Sequence, residues 1–307
     1  MKWPSGTDVA DARRRRCALV AGALALASAG VASRIVEEQA DLPVKVTDGY
    51  GKAVEQAIRL TVFRDDAADG PRPLIVINHG RATEPQQRAA LGRARYPVAS
   101  AWFVRQGFVV ALPTRIGYGV SGGEDVEDSG PCGRKRYPPG FDAAAQETLA
   151  VIEFMRRRPD VLPTRTVVLG QSYGGTTAVA VAALNPPGVV TAINFAGGGG
   201  GNPQERPENP CGSHLLERLF ADYGSRARVP MLWIYAENDK YFGATLPRQW
   251  FDAFRQAGGQ GEFIRAAAVG DDGHALFSGF PAQWQPAVAE FLGRQGFEMK
   301  ANEVKKP

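Results

Sequence analysis

The sequence predicts an α/β fold in which helices cover both faces of a mostly parallel, doubly wound sheet. Short, continuous apolar runs, which are typical of strands buried on both faces, alternate with helix-like segments at least five times along the 307-residue chain. A two-stranded hairpin precedes that alternation. Repeated alternation of strand and helix indicates a parallel sheet with crossover helices, and such sheets bind ligands at the carboxyl ends of their strands.

Each element is expected from a local pattern. The predicted hairpin consists of residues 44–50 and 57–63, with its turn at Gly51 and Lys52. The later strands are apolar runs at 74–78, 108–112, 167–169, 189–195, 231–235 and 262–267. The predicted helices are 96–106, 141–158, 176–184, a segment that includes 250–256, and 283–293.

Two long segments without a regular pattern flank the strand at 167–169. The first, 114–140, is rich in glycine and charged residues, and the second, 197–228, opens with five consecutive glycines. The glycine run permits close backbone approach or loop movement; a flexible surface linker is the alternative. Both segments are expected at the same edge of the sheet, where they would shape a pocket.

The most informative motif is 170–174, Gly-Gln-Ser-Tyr-Gly, which lies between a Val/Leu strand and an Ala/Val helix. This G-x-S-x-G pattern requires that context of strand, sharp turn and helix. The turn is too tight for side chains at its flanks, so glycine stands at Gly170 and Gly174. It exposes the Ser172 hydroxyl above the sheet edge and aims the first N–H groups of the helix at the atom under attack. Ser172 is therefore the predicted nucleophile.

A serine hydroxyl needs a base to take its proton and a third group to hold that base. The chain has three histidines, and the chain order nucleophile, acid, histidine leaves His214 and His274, which follow Ser172. Only His274 comes after a buried strand. It is the predicted base, and a loop histidine that caps a turn is the alternative.

The acid is expected just past a strand that lies between the nucleophile and the base. Asp239 ends a polar turn after the strand 231–235, so its carboxylate is placed to accept the Nδ1 proton of His274. Glu237 competes with it, two residues nearer the strand. Asp271 and Asp272 lie too close to the histidine along a tight loop to orient its ring easily.

An oxyanion requires two preorganised donors. The backbone N–H of Tyr173, at the start of the helix, is the first predicted donor. The second is expected from the loop after the strand 74–78, where the N–H of Arg81 is the favoured group. His79 then has a structural role, with its ring hydrogen-bonded beneath the loop.

The order of the elements and these three motifs resemble the α/β-hydrolase superfamily, and in particular its dienelactone-hydrolase-like and prolyl-oligopeptidase-like esterases. The resemblance extends over about residues 44–296. It implies a nucleophile, an acid, a base and two backbone oxyanion donors at Ser172, Asp239, His274, Tyr173 and Arg81. Dienelactone hydrolases proper carry a cysteine where this chain has Ser172, so their substrate is not carried over.

The N-terminus is typical of an export signal. Arg13–Arg16 form a positive segment, residues 17–27 an apolar stretch, and residues 27–29 a small-residue cleavage site that competes with 25–27. The apolar stretch is shorter than the roughly 20 residues of a membrane span. We expect a signal peptide at 1–29, a linker at 30–43, the catalytic domain at 44–298 and a disordered tail at 299–307; an uncleaved, membrane-anchoring N-terminus is the alternative.

Charge and cysteine content agree with an exported enzyme. Residues 1–29 hold five of the 36 Lys and Arg residues and two of the 32 Asp and Glu residues, so the remainder is almost neutral and no nucleic-acid partner is expected. Without the leader, Cys132 and Cys211 remain, each within Pro-Cys-Gly. An even count in an exported chain suggests a disulfide, which would pin both long segments beside Ser172. Two unrelated thiols are the alternative.

The sequence thus predicts an exported serine hydrolase that cleaves a small-molecule carboxylic ester through an acyl-enzyme. No cluster of residues has metal-ligand spacing, and no G-x-G-x-x-G follows the first strand, so neither a metal nor a nucleotide cofactor is expected. No stable membrane span is expected after removal of the leader. A peptidase or amidase with the same triad and an acyltransferase are the catalytic alternatives. A non-catalytic binding protein would require a broken triad.

Overall fold

A computed structural model describes residues 34–300. The predicted signal peptide and residues 301–307 lie outside this range. The described residues form one eight-stranded sheet in the order β1-β2-β4-β3-β5-β6-β7-β8. The strands are β1 Ile35–Thr47, β2 Ala53–Asp65, β3 Arg72–Asn78, β4 Val109–Thr114, β5 Val161–Gln171, β6 Val189–Phe195, β7 Met231–Ala236 and β8 Gly261–Ala266.

The sheet is mixed at one edge and parallel elsewhere, as the sequence predicts. β1 and β2 form the antiparallel hairpin, and β2 pairs antiparallel with β4. The other five pairings are all parallel. The carboxyl ends of β3 to β8 therefore open on one edge of the sheet, where a doubly wound fold places its ligands.

The hairpin is longer than expected, because β1 already begins at Ile35. Residues 35–43, which the sequence suggested as a linker, pair with β2 throughout. The acidic residues in this stretch made it unlike an apolar strand in the sequence, but their carboxylates form ion pairs with arginines in the fold. Glu37 forms ion pairs with Arg93 and Arg95, and Glu38 lies 2.6 Å from Arg64.

Helices cover both faces of the sheet. Their bounds are α1 Pro85–Ala89, α2 Pro97–Arg105, α3 Tyr137–Met155, α4 Tyr173–Ala183, α5 Ser213–Arg226, α6 Leu246–Gln256, α7 Leu276–Gly279 and α8 Pro281–Arg294. Helix α5 lies inside the segment expected to be irregular, where Leu216, Leu219 and Phe220 recur at helical spacing and are buried. None of the described helices has the length and apolar character needed to cross a membrane.

The core is split into two apolar clusters by the sheet. Alternate side chains of β3 enter them: Leu74 and Val76 pack with α3, α4, α5 and α6 on one face. Ile75 and Ile77 pack with α2, α7 and α8 on the other. Burial on both faces explains why β3 is a continuous apolar run rather than an alternating one. This rigid centre carries the loops that bear the site.

Candidate active site

The turn that carries Ser172 joins the end of β5 to the start of α4. Ser172 stands between them with φ 58° and ψ −124°, a backbone conformation that non-glycine residues rarely adopt and that is often found at functional sites. A Cβ at Gly170 would overlap the carbonyl of Gly174, and a Cβ at Gly174 would overlap the carbonyl of Asn78. Both glycines are thus required by close backbone approach, which is the reason inferred from the sequence.

The loop after β3 lies directly against Ser172. A Cβ placed on Gly80 would come within 3.2 Å of the Ser172 Cβ and 3.7 Å of its Oγ. Ser172 is half-buried and, with Tyr173 and Arg81, lines a cavity of about 400 Å³. The expected nucleophile and the residues expected to supply both oxyanion donors therefore line the same cavity.

The candidate base and acid meet at the ends of β7 and β8. The Nδ1–H of His274 donates to Oδ2 of Asp239 over 2.9 Å. The other oxygen, Oδ1, accepts the backbone N–H groups of Tyr241 at 2.8 Å and Phe242 at 3.1 Å. Asp239 is completely buried. Three donors hold its carboxylate in one orientation, as a group that orients a catalytic imidazole must be held.

Further contacts fix the plane of the His274 ring. The ring of Tyr241 stacks on it with the centroids 3.9 Å apart and the planes 20° apart, and Phe242 packs edge-on at 5.3 Å. Gln171, which directly precedes Ser172, donates from Nε2 to the His274 carbonyl over 2.8 Å. This bond ties the turn that carries His274 to the end of β5.

The competing residues do not contact the His274 ring. Glu237 is exposed, and its carboxylate accepts the N–H of Ala268 over 3.2 Å. Asp272 accepts the backbone N–H of His274 over 3.0 Å. His214 is exposed on α5. None of these three side chains forms the contact with the His274 ring that Asp239 forms.

His79 is buried beneath the loop after β3. Its Nδ1–H donates to the carbonyl of Gly80 over 2.7 Å, and its Nε2 accepts the N–H of Arg115 over 3.2 Å. Burial, together with the nearby Arg115 guanidinium, holds the pKa of His79 well below its usual value. Both ring nitrogens of the neutral imidazole are engaged with backbone, in keeping with the structural role expected of it.

The two long loops are joined by a disulfide between Cys132 and Cys211, 79 positions apart. Both cysteines line the cavity that contains Ser172. The backbone of Cys211 is anchored as well, because its N–H donates to Gly200 over 3.0 Å and its carbonyl accepts the Tyr137 hydroxyl. The disulfide therefore forms part of the cavity wall.

The glycine run is a packed wall and not a flexible linker. A Cβ at Gly198 would overlap the ring of Phe242, and one at Gly201 would come within 2.8 Å of Tyr241. A Cβ at Gly199 would lie 2.9 Å from the Tyr137 ring. Of the two interpretations of this run, close backbone approach agrees with the structure.

The cavity is rich in positive charge. Its lining includes the cationic side chains Arg81, Arg88, Lys135 and Arg206 and the carboxylates Asp125 and Asp128. Asp125 is already engaged by two cations, bidentately by Arg81 at 2.7 and 2.6 Å and by Arg88 at 2.9 Å. Burial lowers the pKa of Lys135, and the charges of Arg81 and Arg206 lower it further.

Within residues 34–300, no group of three or more His, Cys, Asp or Glu side chains is arranged to hold a metal ion.

The sequence did not point to a further pair, Arg115 and Glu127, which lies fully buried behind the loop that carries Arg81. Both belong to the segment 114–140, whose charged residues gave no sign of which would be buried.

Comparison with protein families gives a match over half of the chain. The model of the X-Pro dipeptidyl-peptidases (S15 family) matches residues 50–203. That range includes Arg81, Ser172 and Tyr173 but ends before Asp239 and His274. No curated protein sequence matches the chain.

Solved structures share the fold at low sequence identity. An acylaminoacyl peptidase of Pyrococcus horikoshii superposes with a TM-score of 0.56 at 12% identity, over 90% of this chain and 44% of its own. An acetyl xylan esterase of Paenibacillus sp. R4 gives 0.54 at 16% identity, over 86% and 89%. A dienelactone hydrolase-like promiscuous phosphotriesterase from metagenomic libraries gives 0.52 at 14%, over 85% and 99%. At these identities the likeness establishes the fold.

Proposed function

The chain belongs to the X-Pro dipeptidyl-peptidase (S15) family of the α/β-hydrolase superfamily, and we propose that it is a serine hydrolase that cleaves a small carboxylic ester. One observation carries the proposal. His274 and Asp239 form a pair with a 2.9 Å hydrogen bond. Gln171 binds the backbone of His274 and directly precedes Ser172, whose backbone is in a strained conformation. A nucleophile, a base and an orienting acid are the parts that acyl transfer to water requires.

Each group has one role in the proposed reaction. Ser172 Oγ attacks the ester carbonyl while His274 takes its proton, and the same imidazole then protonates the departing alcohol. Asp239 keeps the imidazole in the required tautomer and stabilises its charged form. The negative charge that develops on the carbonyl oxygen is held by the backbone N–H groups of Tyr173 and Arg81. Water then releases the acyl group by the same steps.

The charge of the cavity supports an ester in preference to a dipeptidyl substrate. A dipeptidyl-peptidase acts at a free N-terminus, whose ammonium group needs an available carboxylate. Of the two carboxylates in the lining, Asp125 is already paired with Arg81 and Arg88, and Asp128 is exposed to solvent and accepts the backbone N–H of Gly130 over 3.0 Å. Lys135 and Arg206 add further positive charge. This arrangement favours a substrate without a cationic group near the reacting carbonyl.

A peptidase or amidase with the same triad is the second candidate, because the matched family is one of dipeptidyl-peptidases. The acyl-enzyme chemistry would be identical and only the leaving group would differ.

We also propose that the enzyme is exported, since disulfides persist mainly in oxidising compartments and the structure holds one between Cys132 and Cys211.

The test combines a covalent probe with two substrate series. A fluorophosphonate should label the wild-type protein and fail to label Ser172→Ala, while Ser225→Ala, an exposed serine on α5, should label normally. Labelling that survives in Ser172→Ala would refute the assignment. p-Nitrophenyl esters of increasing acyl length should be hydrolysed, whereas an X-Pro-p-nitroanilide, whose amide bond is much less reactive, should not be cleaved. Cleavage of the anilide that is lost in Ser172→Ala would establish the second candidate.

A further inference from the structure

Behind the loop at residues 79–81, which carries the proposed oxyanion donor Arg81, lies an ion pair that the proposed reaction does not use. Arg115 and Glu127 are both 0% exposed, and the guanidinium contacts the carboxylate through Nε and Nη2. Neither residue lines the cavity that contains Ser172. A buried ion pair carries a large desolvation cost and is weak evidence of added stability, so its contacts must indicate what it does.

The pair binds the loop on both sides of Gly80. On one side, the backbone N–H of Arg115 donates to the His79 ring over 3.2 Å, and its Nη1 donates to the His79 carbonyl over 2.8 Å. On the other side, the hydroxyl of Tyr118 donates to Glu127 and accepts from Arg81 over 3.2 Å. Residues 79 and 81 are thus fastened to one buried unit.

The loop requires such an anchor. Residues 79–84 belong to neither a helix nor a strand, so no regular hydrogen-bond pattern holds them. A Cβ placed on Gly80 would lie 3.2 Å from that of Ser172, so the loop runs close beside the serine. A shift of the loop would therefore move a donor relative to the reacting carbonyl, and a displacement of about 1 Å can cost roughly a hundredfold in rate.

We propose that Arg115, Glu127 and Tyr118 form a positioning unit that holds the 79–81 loop so that the Arg81 N–H stays at the oxyanion site. The inference rests on the proposed function, because it takes that N–H as the second oxyanion donor. None of these three residues lines the cavity. They act through the loop, so their effect falls on transition-state stabilisation rather than on substrate binding.

The test uses two substitutions that change the unit gently. Tyr118→Phe removes the hydroxyl that bridges Glu127 and Arg81 but leaves the direct contact of 3.6 Å between their charged groups, and Glu127→Gln removes the charge while keeping an oxygen acceptor. Tyr223→Phe is the matched control, since Tyr223 is also buried and its hydroxyl has no partner among the described residues. Titration with a fluorophosphonate counts competent sites, so that kcat is expressed per labelled serine and misfolded protein does not contribute.

We expect kcat to fall about tenfold in Tyr118→Phe and up to about a hundredfold in Glu127→Gln, with KM within twofold of wild type. Affinity for a trifluoromethyl ketone, which forms an oxyanion on the enzyme, should fall in parallel. Tyr223→Phe should match wild type. If Glu127→Gln does not fold, Tyr118→Phe alone decides the question.

Two different results separate the inference from the function on which it rests. A wild-type protein that neither labels nor hydrolyses esters refutes the proposed function itself. A wild type that labels, with Tyr118→Phe and Glu127→Gln equally active per site, overturns the positioning unit alone. A loss that appears in KM, or that Tyr223→Phe shares, overturns it as well.

Discussion

The Nδ1 atom of His274 lies 2.9 Å from Oδ2 of Asp239 across 35 positions of sequence. The two residues follow β7 and β8, which are parallel neighbours in the sheet. Parallel pairing places both strand ends at one edge, so a short loop after each brings the imidazole and the carboxylate together. The contact is therefore a consequence of strand order and not of local sequence.

Replacing Asp239 tests this contact. Asp239→Asn preserves the shape of the side chain but replaces an acceptor with a group that donates or accepts, so the imidazole loses its fixed tautomer. We expect kcat for ester hydrolysis to fall by about 10³- to 10⁴-fold. Steady-state kinetics on the best p-nitrophenyl ester measure it.

Glu237→Gln is the control for that substitution, because Glu237 is the sequence competitor and is exposed at the same turn. Its activity should remain within about twofold of wild type. An Asp239→Asn enzyme as active as Glu237→Gln would contradict the proposed role of Asp239.

The disulfide should affect both stability and substrate binding. It closes a segment of 79 positions, for which the chain-entropy model gives about 4.5 kcal/mol. The double variant Cys132→Ser/Cys211→Ser should therefore unfold at lower urea concentration. Because both residues line the cavity, KM should rise as well.

Alkylation before and after reduction provides the control, since these two thiols should react only in reduced protein. If the reduced enzyme keeps the KM and kcat of the oxidised one, the disulfide stabilises the fold without shaping the cavity.

Local signals predicted the centre of the fold, and tertiary contacts decided the rest. The strand β6, Val189–Phe195, has the bounds expected from its apolar run, because burial on both faces marks such strands in the sequence. Helix α5, Ser213–Arg226, was missed although Leu216, Leu219 and Phe220 recur at helical spacing, because the glycine- and proline-rich stretch before it dominated the pattern. The early residues of β1 were missed because their charges are neutralised by distant arginines.

The site shows the same division. Gly170 and Gly174 are required for reasons that the turn itself supplies, and these were available from the sequence. The stacking of Tyr241 on His274 and the burial of Arg115 with Glu127 depend on where separate loops meet. The assignment of Ser172, Asp239 and His274 to catalysis stays a prediction until the variants are measured.

The glycine run offers a test of packing near His274. In Gly198→Ala the added methyl group would overlap the ring of Phe242, which packs edge-on against His274. Overpacking of this kind costs about 1–3 kcal/mol, and displacement of Phe242 should also lower kcat. Urea unfolding and ester kinetics measure the two effects.

Gly293→Ala is the matched control, because Gly293 lies in α8 with no atom within 4 Å of an added Cβ. Alanine there should stabilise the protein by about 0.5–1 kcal/mol and leave kcat unchanged. A Gly198→Ala protein as stable and active as wild type would show that this wall tolerates a side chain.

A buried carboxyl group should give the protein a pH-dependent stability. Glu147 on α3 accepts the N–H of Ile116 over 2.9 Å through one oxygen, and its other oxygen has no partner among the described residues. Burial, reinforced by the negative charge of Glu127, raises the pKa of Glu147 to about 8 from a usual 4.5. Between these two values the folded protein holds a proton that the unfolded chain has released.

The free energy of unfolding should therefore fall as pH rises from about 4.5 to 8, by up to roughly 1.4 kcal/mol per pH unit from this group, and level off above that range. Glu147→Gln keeps an acceptor for Ile116 and cannot ionise, so its stability should decline less steeply and exceed that of wild type at pH 8. Urea unfolding at pH 5, 6.5 and 8 measures the slopes.

Glu217→Gln, a substitution of an exposed residue on α5, should keep the wild-type slope. Equal slopes in Glu147→Gln and wild type would mean that Glu147 is ionised in the folded protein, which would require Arg115 to compensate its charge as well as that of Glu127.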